Sequence, residues 1–252
     1  MPIANIDRAS FDYNRLGPLW RRNKDFNLGG YFVRAAGTDY LPPLSRQQTD
    51  RQFQDYVDNA PFIPVVGHIV ELLTGRIAGN APTTTNTNTE DITLSGLRFD
   101  EVFKDTVEEA VLTRHNGLLV DATPDGQAFI KHYGALEVIA WDYDDILPTR
   151  PLVYVKIRET FRQTDLRDFT EDFIELFRVL ELDQNGVYRH RVYQRGDNAS
   201  ISLLSDTIPL VDGQPLDFIP FYFLHGDYAL KTPLVSDVAD LVQSHYLSLI
   251  HI

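Results

Sequence analysis

Residues 173–194 read FIELFRVLELDQNGVYRHRVYQ. Phe173–Leu182 and Val187–Gln194 are rich in β-branched and aromatic residues. Asp183-Gln184-Asn185-Gly186 lies between them, and its Asn-Gly pair is the turn chemistry that joins antiparallel strands. In Tyr188-Arg189-His190-Arg191-Val192-Tyr193 the polar residues alternate with the rest, which predicts a sheet with one face in water. The same composition recurs on both sides of this hairpin. Leu136–Trp141 and Leu152–Glu159 read as strands before it and Leu216–Leu224 as a strand after it. Pro233 then suits the first turn of a helix over Leu234–Tyr246, whose Leu234, Val238, Leu241, Val242 and Tyr246 form a buried stripe.

The first half of the chain has a different period. Ser45 reads as the N-cap of a helix over Arg46–Asn59, which Pro61 ends. Phe62–Ile77 carries a broad apolar face appropriate to a buried helix, with Gly79 as its stop. Within Arg98–Arg114, after a possible cap at Ser95, Phe99, Val102, Phe103, Val107, Ala110 and Val111 keep a helical stripe, and Gly117 is the expected stop. This helix feeds a short hairpin, strand Leu118–Asp121, turn Thr123-Pro124-Asp125-Gly126 and strand Ala128–Tyr133. Residues 1–44 read as an irregular aromatic arm, broken by Pro18, Gly29-Gly30, Gly37 and Pro42-Pro43. Ala81–Glu90, APTTTNTNTE, reads as a polar mobile loop. The expected class is α+β, helices first and antiparallel strands later.

Composition narrows the chemistry. The 252 residues hold 36 acidic side chains against 23 Lys plus Arg, for a net charge of −13, and there is no Cys. Disulfide scaffolds, thiolate metal sites and Cys nucleophiles are excluded. The acidic balance argues against a general nucleic-acid binder, whose affinity comes from Lys and Arg on phosphates. No signal peptide or membrane-spanning run is evident, so the chain is expected to be intracellular and soluble. Asn198-Ala199-Ser200 then matches a glycosylation pattern only by coincidence. The last six residues, Leu247–Ile252, match a translated transposase end sequence from sequencing libraries; they are expected to be adaptor-derived, with the natural chain continuing past Tyr246.

Motifs for a P-loop, dinucleotide fold, zincin or nucleophile elbow are absent, and the seven His residues have no ligand spacing, so no cofactor and no metal are expected. Trp141-Asp142-Tyr143-Asp144-Asp145 is the densest carboxylate cluster. It admits a glycosidase-like acid/base pair, a hard-cation site or a solvated turn, and carboxylates this common in an acidic chain favour the turn. Glu159 and Glu175 are expected to pair with Arg158, Arg162 or Arg178.

The succession of segments resembles a family. YLPPLSRQQTDRQFQDYVDNAPFIPVVGHIVELLTGRI, DEVFKDTVEEAVLTRHNGLLVD, ALEVIAWDYD, VYVKIRE, ELFRVLELDQNGVYRHRVYQR, PLDFIPFYFLHGD and PLVSDVADLVQSHY together resemble a tailed-bacteriophage family, formerly of unknown function and related to portal proteins, the head-to-tail connectors. The similarity covers roughly residues 40–246, and the order of segments carries it rather than any single motif. It implies a ring subunit, by family analogy a dodecamer, at one capsid vertex of the virion, assembled in the host cytoplasm. DNA would pass through without sequence-specific binding, and the terminase motor, tail adaptor and capsid proteins would be partners. It implies an N-terminal arm over 1–44, a wing of helices and hairpin over 45–150, a clip-like β region over 151–215, and a strand and returning helix over 216–246, ahead of a tunnel loop, further wing and crown. It implies no catalysis, since the partner motor hydrolyses ATP. Arg189 and Arg191, on one strand face, with His190 between them, are the candidate clip contacts with a neighbour or the motor. A head-completion or tail adaptor, and a β-rich hydrolase using Asp142, Asp144 or Glu159, are the alternatives.

Overall fold

The computed structural model describes residues 5–43, 45, 47–59, 61–80, 82–83, 85, 90–123, 125–147, 149–196, 198, 200–224 and 230–250. Along the chain run α1 (Phe11–Leu28), α2 (Gly30–Ala35), a short 3-10 turn, α3 (Asp50–Asn59), α4 (Val65–Ala78) and α5 (Phe99–Thr113). Then come β1 (Asn116–Ala122), β2 (Ala128–Gly134), β3 (Val138–Tyr143), β4 (Leu152–Thr164), β5 (Glu171–Leu182), β6 (Tyr188–Arg195) and β7 (Ile201–Thr207). β8 (Leu210–Val211), β9 (Gln214–Pro215), β10 (Phe221–Phe223) and α6 (Ser236–Ile250) complete it. The class is α+β, and the described strands pair antiparallel throughout: a five-stranded sheet in the order β3-β4-β5-β6-β7, a three-stranded sheet β10-β1-β2 and the small β8-β9 hairpin.

The Asp183–Gly186 turn forms as its sequence dictates. The Asp183 N–H donates to the Val187 carbonyl at 2.9 Å, and the Asp183 carboxylate accepts from the N–H groups of Asn185 and Val187. Gly186 supplies the positive φ, +73°, that the turn demands. The expected wet face is corrected, because both sides of the large sheet are covered. On one side Val155, Ile157, Leu180 and Tyr188 pack against Leu119, Tyr133 and Phe221 of the small sheet. On the other, Phe177, Val179 and Tyr193 pack against Tyr13, Leu16 and Trp20 of α1. Arginines in β6 gave the strand a wet appearance, but cross-strand carboxylates meet them.

The irregular arm is likewise corrected. Ser10 Oγ accepts the Tyr13 N–H at 3.1 Å and starts an 18-residue helix that runs through Pro18. Tyr13, Leu16, Trp20, Asn23 and Phe26 fall on one inward stripe, the helical period hidden among the aromatics. An internal proline costs about 3 kcal/mol. Each fully buried Leu or aromatic returns about 1.5–3 kcal/mol, so Leu16, Trp20 and Phe26 together outweigh it. Asn23 Nδ2 donates to the Leu112 carbonyl and to Ser236 Oγ, both at 3.0 Å, tying α1 to α5 and α6.

The helical layer departs from expectation mainly at its ends. α3 starts at Asp50, not Arg46. Thr49 Oγ1 accepts the Gln52 N–H and Gln52 Oε1 accepts the Thr49 N–H, a capping box that outcompetes Ser45. α4 is only partly buried: Val66 and Val70 enter the core while Leu72 and Ile77 remain exposed. α5 is stopped by Arg114 in the left-handed region, φ +54°, rather than by Gly117. Gly117 lies in β1, where a Cβ would come within 2.4 Å of the Phe221 ring. Of the predicted strand Leu216–Leu224 only Phe221–Phe223 pairs with β1, and β7, β8 and β9 were not anticipated. β4 is longer than predicted by five residues, to Thr164. α6 continues from Ser236 to Ile250, with Leu247 against the helical core. β3 and β4 flank residue 150 and share a sheet, as do β1 and β10. Arg46, residues 81, 84 and 86–89 of the polar run, Pro124, Ala199, residues 225–227, His251 and Ile252 belong to predicted features but lie outside the described residues.

Candidate functional site

Strand period two separates the three candidate contacts. Arg189 and Arg191 share one face of β6, as expected, and His190 points to the other. Neither arginine extends free into solvent. Arg189 Nε and Nη2 grip the Asp206 carboxylate of β7 at 2.6 and 2.5 Å, and Arg191 Nη2 pairs with Glu181 of β5. Hydrogen bonding to Arg189 holds the Asp206 carboxyl below its usual range. Both guanidinium groups are therefore engaged in cross-strand ion pairs within the subunit.

His190 enters a buried ion cluster between the two sheets. Glu159 of β4, 3% exposed, accepts from Tyr133 Oη at 2.7 Å, from Lys131 Nζ, and from Arg178 Nε and Nη2 at 3.3 and 3.2 Å. Arg178 Nη1 sits 2.7 Å from His190 Nε2. A guanidinium only donates, so Nε2 accepts and the neutral ring carries its proton on Nδ1. Burial, then the Arg178 charge, pushes the His190 pKa down to about 4. For Glu159 burial raises the pKa, but Arg178, Lys131 and Tyr133 outweigh it and hold the carboxyl ionised. Glu159 thus pairs with Arg178, and Glu175 with Arg195 at 2.5 Å and with Arg158 at 4.0 Å; Arg178 and Arg158 were among the partners expected and Arg195 was not.

Glu159 is not brought together with the other carboxylates of the hydrolase alternative. Asp142 Oδ1 accepts the Tyr143 N–H, Asp144 Oδ1 accepts from the Ile146 and Leu147 N–H groups, and Asp145 pairs with Arg150, the pattern of a solvated turn. Asp142 lies opposite Tyr154, five residues along β4 from Glu159, or about 16 Å of strand. Glycosidase carboxyls stand about 5–9.5 Å apart. Among the described residues no three His, Asp or Glu are placed to hold a metal ion. A groove of about 430 Å3 runs beside β2, lined by Leu94, Leu97, Phe129 and Ile130 with Asp105, Lys131 and His132 at its polar positions.

The sequence reading missed an exposed apolar ribbon. β4 and β5 stay paired from Thr160↔Glu175 to Thr164↔Glu171, past Ile157, the last partner of β3, and past Leu176, the last partner of β6. Five more residue pairs project the ribbon about 17 Å beyond the sheet. Phe161, Leu166, Phe169 and Phe173 on it are 41, 79, 76 and 71% exposed. Asp165 accepts the Phe169 N–H through its carbonyl and the Arg167 N–H through its carboxylate, which stiffens the tip, and Arg162 pairs with Glu171 at 3.3 Å. The signal was present in Phe161-Arg162-Gln163-Thr164, which keeps strand composition after Glu159. Compared with known protein families and with curated proteins, the chain matches no family model and no curated sequence.

Proposed function

We propose that the chain is a ring-forming structural subunit of the phage portal type. It would line a DNA conduit at a capsid vertex and dock the packaging motor and tail components. The observation that carries this reading is the β4–β5 ribbon. A two-stranded ribbon is marginal alone in water, and this one presents three apolar side chains that are more than two-thirds exposed. Surfaces of this kind are stabilised by a partner. A closed ring needs two different faces per subunit, and a projecting ribbon at one place with an open sheet edge at another supplies both. The charge of −13 supports a conduit that does not hold phosphates. Mass photometry and negative-stain microscopy of the full chain test the reading. Rings of high rotational symmetry, twelve-fold by the family analogy, are expected; a monomer across the accessible concentration range would overturn it.

A further inference from the structure

We infer that the open edge of β7 receives the distal half of β4 from a second copy of the chain, extending the five-stranded sheet from subunit to subunit. This rests on the ring-subunit reading and names the contact within it. β7 ends the strand order, and residues 202–207 are all exposed. Its seven residues include no Lys and no Pro, two of the usual guards of a bare edge; a third, a bulge, is present at Leu204, and Leu203 and Leu204 are 47 and 59% exposed.

The complementary edge is on the same molecule, facing the other way. Beyond Ile157, where β3 stops, no strand among the described residues pairs with the outer side of β4, and on that side the Arg158 N–H donates to the Glu137 carbonyl. Glu159–Thr164 is therefore an unpaired run that nearly matches β7 in length, and residues 160–164 are exposed. Arg162 on it pairs with Glu171, and Asp206 on β7 pairs with Arg189, so joining the two edges leaves neither charge without its own partner. The alternative edge, on distal β5, opens towards the side of β6, the same side as the open edge of β7, so joining it to β7 would turn one copy over instead of repeating in one direction. Repetition in one direction selects β4.

β7 borders one side of the sheet and distal β4 faces the side of β3, at the other end of the strand order. Joining them is a heterologous contact that repeats in one direction and closes into a ring when its rotation allows. Cross-strand pairs contribute about 0.2–1 kcal/mol each. Six or seven pairs form a weak contact singly, and each subunit in a closed ring uses it twice. The added strand continues the alternating direction of the sheet, so the pairing is antiparallel.

The absence of cysteine makes the test direct. Full chains carrying Thr160→Cys and Thr207→Cys are mixed and treated with a short bismaleimide, as are chains carrying Thr164→Cys and Ser202→Cys; the bulge at Leu204 makes the six residues 202–207 span the five of 160–164. Both mixtures are expected to give a heterodimer band in denaturing gels. The swapped mixtures, Thr160→Cys with Ser202→Cys and Thr164→Cys with Thr207→Cys, are not. Leu204→Lys is expected to weaken self-association about tenfold or more with an unchanged circular-dichroism melt, since one charge on an open edge guards it. Rings without the heterodimer bands would overturn the strand pairing and leave the ring reading standing. Absence of any oligomer would overturn both. If Leu204→Lys does not fold, the cross-links decide alone.

Discussion

Arg178 Nη1 donates to His190 Nε2 at 2.7 Å while the same guanidinium holds Glu159, so one buried cation fixes both an anion and the tautomer of a neutral imidazole. Protonating His190 would set two cations against each other in a layer that water barely reaches.

Stability is expected to fall as pH drops from 7 towards 4. The folded His190 pKa, about 4, lies below its ordinary 6.5. The unfolded chain therefore takes up a proton first. The stabilisation is complete above 6.5, is lost between 6.5 and about 4, and does not change further below that. The loss attributable to His190 is on the order of 3 kcal/mol. His190→Gln keeps an acceptor for Arg178 without titrating. Urea unfolding of both proteins at pH 7, 6 and 5 should show a steeper decline for the natural chain; parallel declines would contradict the assignment.

Glu159→Ala should destabilise by about 3–5 kcal/mol, because it strands the Arg178 charge between the sheets. Asp142→Ala should change stability by less than about 1 kcal/mol, since its carboxylate bonds only a neighbouring exposed N–H. Denaturant midpoints measure both, and equal effects would show that Glu159 is not the anchor of the cluster.

The large-scale order, helices then antiparallel strands, was legible because apolar periods of 3.6 and 2 report burial directly. The DQNG turn was legible for the same local reason. Three misses share a cause in tertiary compensation. Pro18 obeys no local rule of α1, and the helix persists through the buried Leu16, Trp20 and Phe26. Gly117 reads as a helix stop, yet its constraint is the Phe221 ring a hundred residues on. Arg189 and Arg191 were placed on one face correctly, but Asp206 lies on β7, a Ser-rich strand that composition does not announce. The opposite placement of His190 followed from period two; its burial depended on a second sheet that one strand cannot reveal.

Pro18→Ala should stabilise the protein. Position 18 is exposed, so the ring contributes little packing, and alanine restores an N–H able to bond the Asn14 carbonyl. A gain of about 1–3 kcal/mol is expected from the internal-proline penalty. Thermal melts followed by circular dichroism would detect it, and a lowered midpoint would mean that the proline shapes α1 productively.

Gly117→Ala should destabilise by about 1–3 kcal/mol through overpacking, since its methyl would lie 2.4 Å from Phe221. Phe221→Leu added to Gly117→Ala should recover part of the loss by vacating the ring position. Non-additivity in this double-mutant cycle is the diagnostic, and additive losses would show that the ring is not what excludes a side chain at 117.

The ribbon tip separates folding from assembly. Leu166 and Phe169 are 79 and 76% exposed, so replacing both with Ser removes little that the isolated subunit buries. The tip turn is held by Asp165 and Asp168, whose bonds to Arg167 and Thr170 are untouched by the change. The monomer should keep its denaturant midpoint to within about 0.5 kcal/mol. Self-association should not survive equally well. Burying a Leu and a Phe against a partner is worth about 1.5–3 kcal/mol each, so losing both should raise the dissociation constant by at least about a hundredfold. Sedimentation velocity of the two proteins over a concentration series measures that shift. Equal association would leave the tip without a partner in the assembly, whereas a lowered unfolding midpoint would mean that it packs within its own subunit.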